Sequence, residues 1–192
     1  MQKQKALYYW EITKAAAGDK MDIVLIGMPG CGKSSIGKSV AKRLNMQFID
    51  IDAEIERQEE KSIAEIFEVS GEGYFREKET ECLRASFGKS RVIATGGGVV
   101  GRDENLKILK NNEAVVVFID RPLENIMRNV RTDTRPLLKS GKDKLEALYK
   151  ERYDRYIAAC DIRIVNDTSK TDAVNKIINE VKSYEDNGNK RT

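Results

Sequence analysis

Five short apolar segments, rich in valine and isoleucine, alternate with stretches of helical periodicity along the chain. They cover residues 22–26, 47–51, 91–94, 114–119 and 162–165. Most of their apolar positions are contiguous, as in strands that are buried on both faces of a parallel sheet. The pattern therefore predicts five parallel strands.

The segments between these strands carry apolar residues at helical spacing. Helices are predicted over residues 33–44, 62–69, 75–87, 104–110, 122–130, 144–159 and 172–184. Ser62 and Glu65 have the spacing of a capping box, and Pro122 suits a first helical turn. Strands that alternate with helices imply right-handed crossovers. The predicted fold is α/β, with a doubly wound parallel sheet of about five strands and helices on both faces.

The chain of 192 residues has the length of one domain. We assign residues 21–185 to that domain and residues 186–192 to a flexible tail. Residues 1–20 are interpreted as an N-terminal extension, either accessory or expression-derived, because Gly18 and Asp19 break its short apolar pattern before Met21.

Composition narrows the classes of function. Lys and Arg total 34 against 31 Asp and Glu, a net charge of +3, which is too weak a basic bias to favour a nucleic-acid partner. Three scattered cysteines and the lack of histidine argue against a zinc site. Without histidine, any proton transfer must be carried out by a carboxylate, Lys or Tyr. No apolar run reaches the ~18 residues of a membrane span. We therefore expect a cytoplasmic monomer with no membrane partner.

Residues 27–34, Gly-Met-Pro-Gly-Cys-Gly-Lys-Ser, match the phosphate-loop pattern G-x-x-x-x-G-K-[ST] between a predicted strand and a predicted helix. Its glycines allow backbone N–H groups to turn toward a phosphate, and the helix N-terminus adds partial positive charge. Lys33 is expected to reach the β- and γ-phosphates, and the Ser34 hydroxyl to coordinate Mg²⁺. The ATP-binding residues predicted here are Gly30, Cys31, Gly32, Lys33, Ser34 and Ser35.

Two acidic residues, Asp50 and Asp52, end the second predicted strand. At this spacing both side chains would point to one face of a strand, at the edge of the sheet where ligands bind. One would hold hydrated Mg²⁺ and the other would accept a proton from a substrate hydroxyl. The alternative is that one of them caps the next helix.

Three consecutive glycines follow Thr95, which suggests a close approach to the main chain or, alternatively, a flexible turn. Arginines recur nearby in the sequence, and several would be needed to bind a small anionic substrate beside a triphosphate. They are Arg76, Arg135 and Arg152. Residues 131–143 lack clear periodicity and suit a mobile lid, or else a solvated connector.

Together these segments resemble shikimate kinase, from about residue 22 to residue 181. Besides the phosphate loop, the resemblance rests on Phe-Ile-Asp-Ile-Asp, Ser-Ile-Ala-Glu-Ile-Phe, Gly-Glu-Gly-Tyr-Phe-Arg-Glu-Lys-Glu, Gly-Gly-Gly and Arg-Pro-Leu-Leu, at 48–52, 62–67, 71–79, 96–98 and 135–138. The second and third of these runs, with the triple glycine, are the most specific. The resemblance implies a fold like that of nucleoside-monophosphate kinases and transfer of the ATP γ-phosphate to the 3-hydroxyl of shikimate, in aromatic amino-acid synthesis.

The resemblance also implies roles for individual residues. The substrate would be bound by Asp52, Arg76, Gly97, Gly98 and Arg152. Asp50 would hold Mg²⁺ through water beside Ser34, Arg128 would stack on adenine, and Arg135 would reach the phosphates from the lid. The predicted catalytic residues are thus Lys33, Asp52 and Arg135, with ATP and shikimate as substrates and Mg²⁺ as cofactor.

One departure from the family pattern lies late in the chain. The family reads Arg-x-Pro-x-Tyr where this chain has Asp154 in place of the proline. Anchoring on Tyr156 selects Arg152 as the substrate arginine, with Arg155 as a substitute. Two other functions stay open at this point. One is a different small-metabolite kinase, such as a gluconate-type enzyme, and the other is a non-catalytic ATP-binding module.

Overall fold

The computed structural model describes residues 20–129 and 142–188. The predicted N-terminal extension, except Lys20, lies outside these residues, as do Arg135 and nearly all of the predicted lid. The end of the predicted tail, from residue 189, lies outside them as well.

A parallel sheet of five strands forms the centre of the fold, in the order β2-β3-β1-β4-β5. The strands are β1 (Asp22–Ile26), β2 (Gln47–Asp50), β3 (Arg91–Ala94), β4 (Ala114–Asp120) and β5 (Ile162–Val165). Every residue of β1 and β4 is buried, which is why their apolar positions are contiguous in the sequence. The predicted fold class is confirmed.

Helices connect the strands and cover the sheet. They are α1 (Lys33–Leu44), α2 (Ile51–Glu59), α3 (Ile63–Ser86), α4 (Asp103–Asn111), α5 (Leu123–Asn129), α6 (Lys142–Ala159) and α7 (Lys170–Asp186). Helix α1 packs on the sheet beside α7, while α4 contacts both α3 and α6. Among the helices that the structure describes, none has the length and apolar character that a membrane crossing requires.

The predicted end of the second strand is wrong. Strand β2 ends at Asp50, and helix α2, which was not predicted, begins at Ile51. The Asp50 carboxylate caps this helix by accepting a hydrogen bond from the backbone N–H of Ala53 at 3.4 Å. Ile51 and Ile55 are buried one turn apart, so the helix is anchored by one narrow apolar face. Asp50 and Asp52 therefore do not share a face of a strand.

Helix α3 joins two predicted helices across a kink at Gly71, where φ is 82° and ψ is 168°. The predicted capping box at its start is confirmed. The Ser62 hydroxyl accepts a hydrogen bond from the Glu65 backbone N–H at 3.3 Å, and the Glu65 carboxylate accepts one from the Ser62 backbone N–H at 2.8 Å. This fixes the direction in which the chain enters α3.

The carboxyl ends of β1, β2 and β3 lie side by side because the three strands are parallel neighbours. The phosphate loop follows β1, the start of α2 follows β2, and Thr95 with its three glycines follows β3. The fold thus gathers three predicted motifs at one edge of the sheet, where ligands of such folds bind.

Candidate active site

The phosphate loop, residues 27–34, is a tight turn between β1 and α1 that depends on glycines with positive φ. Gly27, Gly30 and Gly32 have φ values of 144°, 82° and 105°. Gly32 is the N-cap of α1, so the loop ends at a helix N-terminus that attracts anions. A Cβ atom at Gly27 would lie 2.6 Å from the carbonyl oxygen of Ile119 on β4, so a side chain is excluded there. The geometry is that of an anion-binding loop.

Lys33 lies at the start of α1 with only 7% of its surface exposed. Its ammonium group donates hydrogen bonds to the carbonyl oxygens of Gly27 and Met28, at 2.8 and 3.0 Å. The lysine is therefore folded back over the loop. The Cys31 thiol is fully buried, with its sulfur 3.8 Å from this ammonium group, so its side chain does not face the cavity described below.

Asn166, which follows β5, is hydrogen-bonded to the phosphate loop. It was not predicted from the sequence to be a site residue. Its side chain is 2% exposed and donates from Nδ2 to the carbonyl oxygen of Cys31 at 2.9 Å. Its backbone N–H donates to the carbonyl oxygen of Asp120 at 2.7 Å. A single Asn in a polar segment gives no sequence signal for such a contact, which joins positions 135 residues apart.

A cavity of about 480 Å³ opens beside the phosphate loop. Its wall comes from that loop, the start of α2, both parts of α3 and the loop after β3. Nine predicted site residues line it, namely Gly30, Gly32, Lys33, Ser34, Ser35, Asp52, Arg76, Gly97 and Gly98. The structure therefore brings the predicted nucleotide and acceptor residues into one cavity.

The triple glycine is required by close packing, because each of the three glycines faces a different group. A Cβ at Gly97 would lie 2.5 Å from the Pro29 ring, so this loop touches the phosphate loop directly. A Cβ at Gly98 would overlap the guanidinium group of Arg76. These contacts favour the close-approach interpretation of the motif over a flexible turn.

At Gly96 the neighbours are two carboxylates. A Cβ there would lie 2.7 Å from Oδ1 of Asp52 and would overlap Oε1 of Glu79. Asp52 is in the first turn of α2, and Glu79 is in α3. The glycine thus lets two acidic side chains from different helices approach the same point of the cavity wall.

Arg76 and Glu79 form an ion pair three residues apart on α3. Nη1 of Arg76 lies 2.8 Å from Oε2 of Glu79, and Nη2 lies 2.9 Å from Oε1 of Glu72. Glu79 is fully buried, and Oε1 of Glu79 has no hydrogen-bond partner among the described residues. Burial raises the pKa of the Glu79 carboxyl, although the charges of Arg76, Arg152 and Lys33 oppose this shift.

The two candidate arginines of α6 contact different parts of the protein. Arg152 is 7% exposed, and Nη1 of Arg152 donates to the carbonyl oxygen of Gly97 at 3.1 Å. Arg155 instead binds the carbonyl oxygen of Val100 and the carboxylate of Asp103, at the start of α4. Arg152 is thus the residue at the triple-glycine loop, whereas Arg155 joins two structural elements.

Four predicted site residues that the structure describes do not line the cavity, namely Cys31, Asp50, Arg128 and Arg152. Asp50 caps α2 and does not line the cavity, whereas Asp52 does. Arg128 lies exposed in the last turn of α5. In the residues that the structure describes, no group of three or more His, Cys, Asp or Glu side chains is arranged to hold a metal ion.

Comparison with known proteins adds a family match. The family model for shikimate kinase matches residues 29–182. A shikimate kinase from Clostridium botulinum (strain Eklund 17B / Type B) is 49% identical over 164 residues, covering 85% of this chain and 96% of that protein. A shikimate kinase from Clostridium beijerinckii is 47% identical over 165 residues, covering 85% and 94%.

Solved structures agree. The shikimate kinase from Acinetobacter baumannii in complex with shikimate has a TM-score of 0.81 and 34% sequence identity, covering 85% of this chain and 94% of that one. The shikimate kinase from Aquifex aeolicus has a TM-score of 0.76 and 34% identity, covering 86% and 98%.

Proposed function

Because the chain belongs to the shikimate kinase family, we propose that it transfers the γ-phosphate of ATP to the 3-hydroxyl of shikimate. The family makes it an ATP-dependent kinase that phosphorylates a hydroxyl group. The products are shikimate 3-phosphate and ADP. The structural support is the cavity that joins Lys33 and Ser34 to Asp52, Arg76 and the triple glycine.

The acceptor half of the cavity suits a small hydroxylated carboxylate. On the cavity wall, Arg76 supplies guanidinium donors for a carboxylate and Asp52 supplies an acceptor for hydroxyl groups. Arg152 is bonded to the carbonyl oxygen of Gly97 beside this wall and is proposed to supply a second guanidinium. The loop at Gly97 and Gly98 lets the ring approach the main chain. Since the A. baumannii enzyme was solved with shikimate and shares this fold, shikimate is the acceptor that we propose.

Asp52 is the proposed proton acceptor. The 3-hydroxyl oxygen forms the new bond to the γ-phosphorus, the bond from that phosphorus to the β-bridging oxygen breaks, and ADP leaves. The hydroxyl proton passes to the Asp52 carboxylate. Phosphoryl transfer has a loose transition state, so the attacking hydroxyl needs little activation by a base. Asp52 therefore contributes more to the rate by holding the hydroxyl in line with the γ-phosphorus than by its basicity.

The phosphate loop stabilises the charge that develops during transfer. Lys33 is held at the loop and carries a positive charge to the phosphoryl oxygens, while the N-terminus of α1 binds the preceding phosphates. Ser35 and the backbone of Gly30 to Gly32 complete this half of the cavity. Arg128 and Arg135 are proposed to contact adenine and the phosphates.

The oxygen donors at the cavity fit Mg²⁺. Ser34 offers a hydroxyl on the cavity wall beside the phosphate loop. Mg²⁺ commonly takes one or two protein oxygens and completes its shell with water and phosphate oxygens. We propose that Ser34 holds the ion and that Asp50 contacts it through water. When bound, the ion neutralises charge on the β- and γ-phosphates.

A coupled assay of ADP release tests the function. With ATP and Mg²⁺ present, we expect turnover with shikimate and none above background with gluconate or other hydroxy acids. Phosphorus NMR should show one phosphate monoester on the shikimate product. ADP release that does not depend on any acceptor, or a preference for gluconate, would contradict the proposal.

A further inference from the structure

Tyr156, on α6, is the largest side chain that is fully buried in the described part of the chain. Its ring stacks on Phe118 of β4, with 5.0 Å between ring centroids and 14° between planes. Its hydroxyl donates to the carbonyl oxygen of Gly97 at 2.6 Å. A phenylalanine would fill the same volume, so packing alone does not require the hydroxyl. A buried hydroxyl is stable there because it is hydrogen-bonded.

The same carbonyl oxygen receives a second hydrogen bond. Nη1 of Arg152 donates to it at 3.1 Å, and Arg152 lies one helical turn before Tyr156. A carbonyl oxygen has two lone pairs, so it can accept both bonds. Two donors on one helix therefore hold a loop whose glycine backbone would otherwise allow many orientations.

Fixing this carbonyl also fixes a donor at the cavity. No cis peptide bond occurs among the described residues, and in a trans peptide the C=O and the next N–H point in opposite directions. The N–H of Gly98 therefore points away from α6, and Gly98 lines the cavity. On its other side the loop rests against Pro29, which limits any shift of Gly97.

We propose that Tyr156 is a positioning residue for the acceptor substrate. Its hydroxyl orients the peptide between Gly97 and Gly98, so that the Gly98 N–H and the Arg152 guanidinium are already placed for a substrate oxygen. Neither Tyr156 nor Arg152 lines the cavity, whereas Gly98 does. Tyr156 therefore acts through the Gly98 N–H and through the arginine with which it shares the Gly97 carbonyl oxygen. The identity of the acceptor rests on the proposed function, whereas the orientation of the loop does not.

The test is Tyr156→Phe, which removes only the hydroxyl and keeps the stacked ring. We expect the KM for shikimate to rise about three- to tenfold, the effect of losing one net hydrogen bond from a prearranged site. The KM for ATP should stay within about twofold, because the hydroxyl contacts residues 96–98, the acceptor loop, and not the phosphate loop. Steady-state kinetics with each substrate varied in turn measures both.

Tyr153→Phe is the matched control. Tyr153 lies on the same helix, and its hydroxyl donates to Oδ2 of Asp120 at 3.2 Å, at the end of β4 and outside the cavity wall. A general loosening of α6 would affect both variants alike. We expect the control to keep the wild-type KM for shikimate.

Hydrogen exchange gives a readout that does not depend on the acceptor. In the ligand-free Tyr156→Phe protein, the amides of residues 96–98 should exchange faster than in the wild type or in Tyr153→Phe. Unchanged exchange together with an unchanged KM for shikimate would overturn the proposal. Equal increases in both KM values would also overturn it, since they indicate a merely structural role. A wild-type enzyme inactive on shikimate would instead contradict the proposed function.

Discussion

Asp50 and Asp52 are two positions apart, yet they occupy different surroundings. Asp50 ends β2 and caps α2, and Asp52 faces the cavity from the first turn of α2. For Asp52→Asn we predict a fall in kcat of about 10²-fold, the lower end of acid–base contributions. The KM for ATP should change little. Steady-state kinetics with shikimate as acceptor would measure this.

Asp50→Asn is the matched control, because Asn caps a helix about as well as Asp does. The variant should keep its melting temperature while losing the charge proposed to contact hydrated Mg²⁺. Raising the Mg²⁺ concentration should therefore restore part of its activity. If Asp52→Asn works normally while Asp50→Asn is inactive at every Mg²⁺ concentration, the two assignments must be exchanged.

Glu79 predicts a dependence of stability on pH. Burial raises the pKa of its carboxyl from an ordinary value of 4.5, so the folded protein binds this proton more tightly than the unfolded chain does. The resulting stabilisation is complete below about pH 4.5 and is lost as the pH rises through the raised pKa. In Glu79→Gln the side chain at this position does not titrate, so this pH-dependent contribution to stability is absent. The variant's free energy of unfolding, relative to the wild type, should increase as the pH rises from about 4.5 through the raised pKa of Glu79.

Urea unfolding of both proteins over this pH range measures the difference. Parallel profiles would show that Glu79 titrates normally in the folded protein. The variant also weakens the contact with Arg76, which adds an offset between the two profiles. The informative quantity is therefore the slope of the difference with pH.

The same residue shows why part of the site was not predicted. A glutamate in a charged helix is usually solvated, and its spacing of three from Arg76 is a weak signal. Its complete burial arises because α3 faces the loop after β3, a contact between distant segments. The phosphate loop, in contrast, was predictable because one contiguous motif contains both its glycines and its lysine.

At the level of elements, helix α3 contains two glycines whose backbone conformations differ, one at the kink and one after it. Gly71 has φ 82° and ψ 168°, a region that residues with a Cβ rarely adopt, while Gly73 lies in regular helix. A Cβ atom added at either glycine would meet no other atom within 4 Å, so crowding does not distinguish them. We predict that Gly71→Ala lowers the free energy of unfolding by about 1–3 kcal/mol.

Gly73→Ala is the control and should stabilise the protein by about 0.4–1 kcal/mol, because it restricts the unfolded chain without straining the helix. Urea unfolding of the two single variants would test both values. Equal effects of the two substitutions would show that the backbone at Gly71 is not strained.

Elements were predictable where burial on both faces produced contiguous apolar runs, as in β1 and β4. Helix α2 was not predicted because only Ile51 and Ile55 are buried in it. In addition, apolar and acidic residues alternate over residues 49–52, across the start of the helix, which resembles the pattern of a strand. The break between the two predicted helices of α3 was placed correctly around Gly71. Its backbone angles depend on how both halves pack.

At the scale of the whole molecule, Lys20 is hydrogen-bonded to the domain, although the sequence pattern assigns it to the N-terminal extension. The backbone N–H of Lys20 donates to the Ser90 hydroxyl, and the backbone N–H of Ser90 donates to the carbonyl oxygen of Lys20. The Lys20 ammonium group donates to the carbonyl oxygen of Leu44 at 2.7 Å. We predict that removing residues 1–19 leaves activity and melting temperature largely intact.

The test compares the activity and melting temperature of two shortened proteins. One starts at Lys20, and the other lacks residue 20 as well. The second should melt at a lower temperature, because the hydrogen bonds of Lys20 are lost with it. A large loss of activity in the first protein would mean that the extension supports the domain. The predicted monomer can be checked in the same samples by light scattering.

The contact between Gly97 and Pro29 has a consequence for inhibition. Because the loop at Gly97 touches the phosphate loop at Pro29, a ligand that displaces one loop would also press on the other. Any effect of nucleotide on acceptor affinity must equal the effect of acceptor on nucleotide affinity. If nucleotide binding displaces this contact, the potency of a compound that occupies only the acceptor half would change with the cell's nucleotide levels. Such compounds should therefore be ranked at physiological nucleotide concentrations.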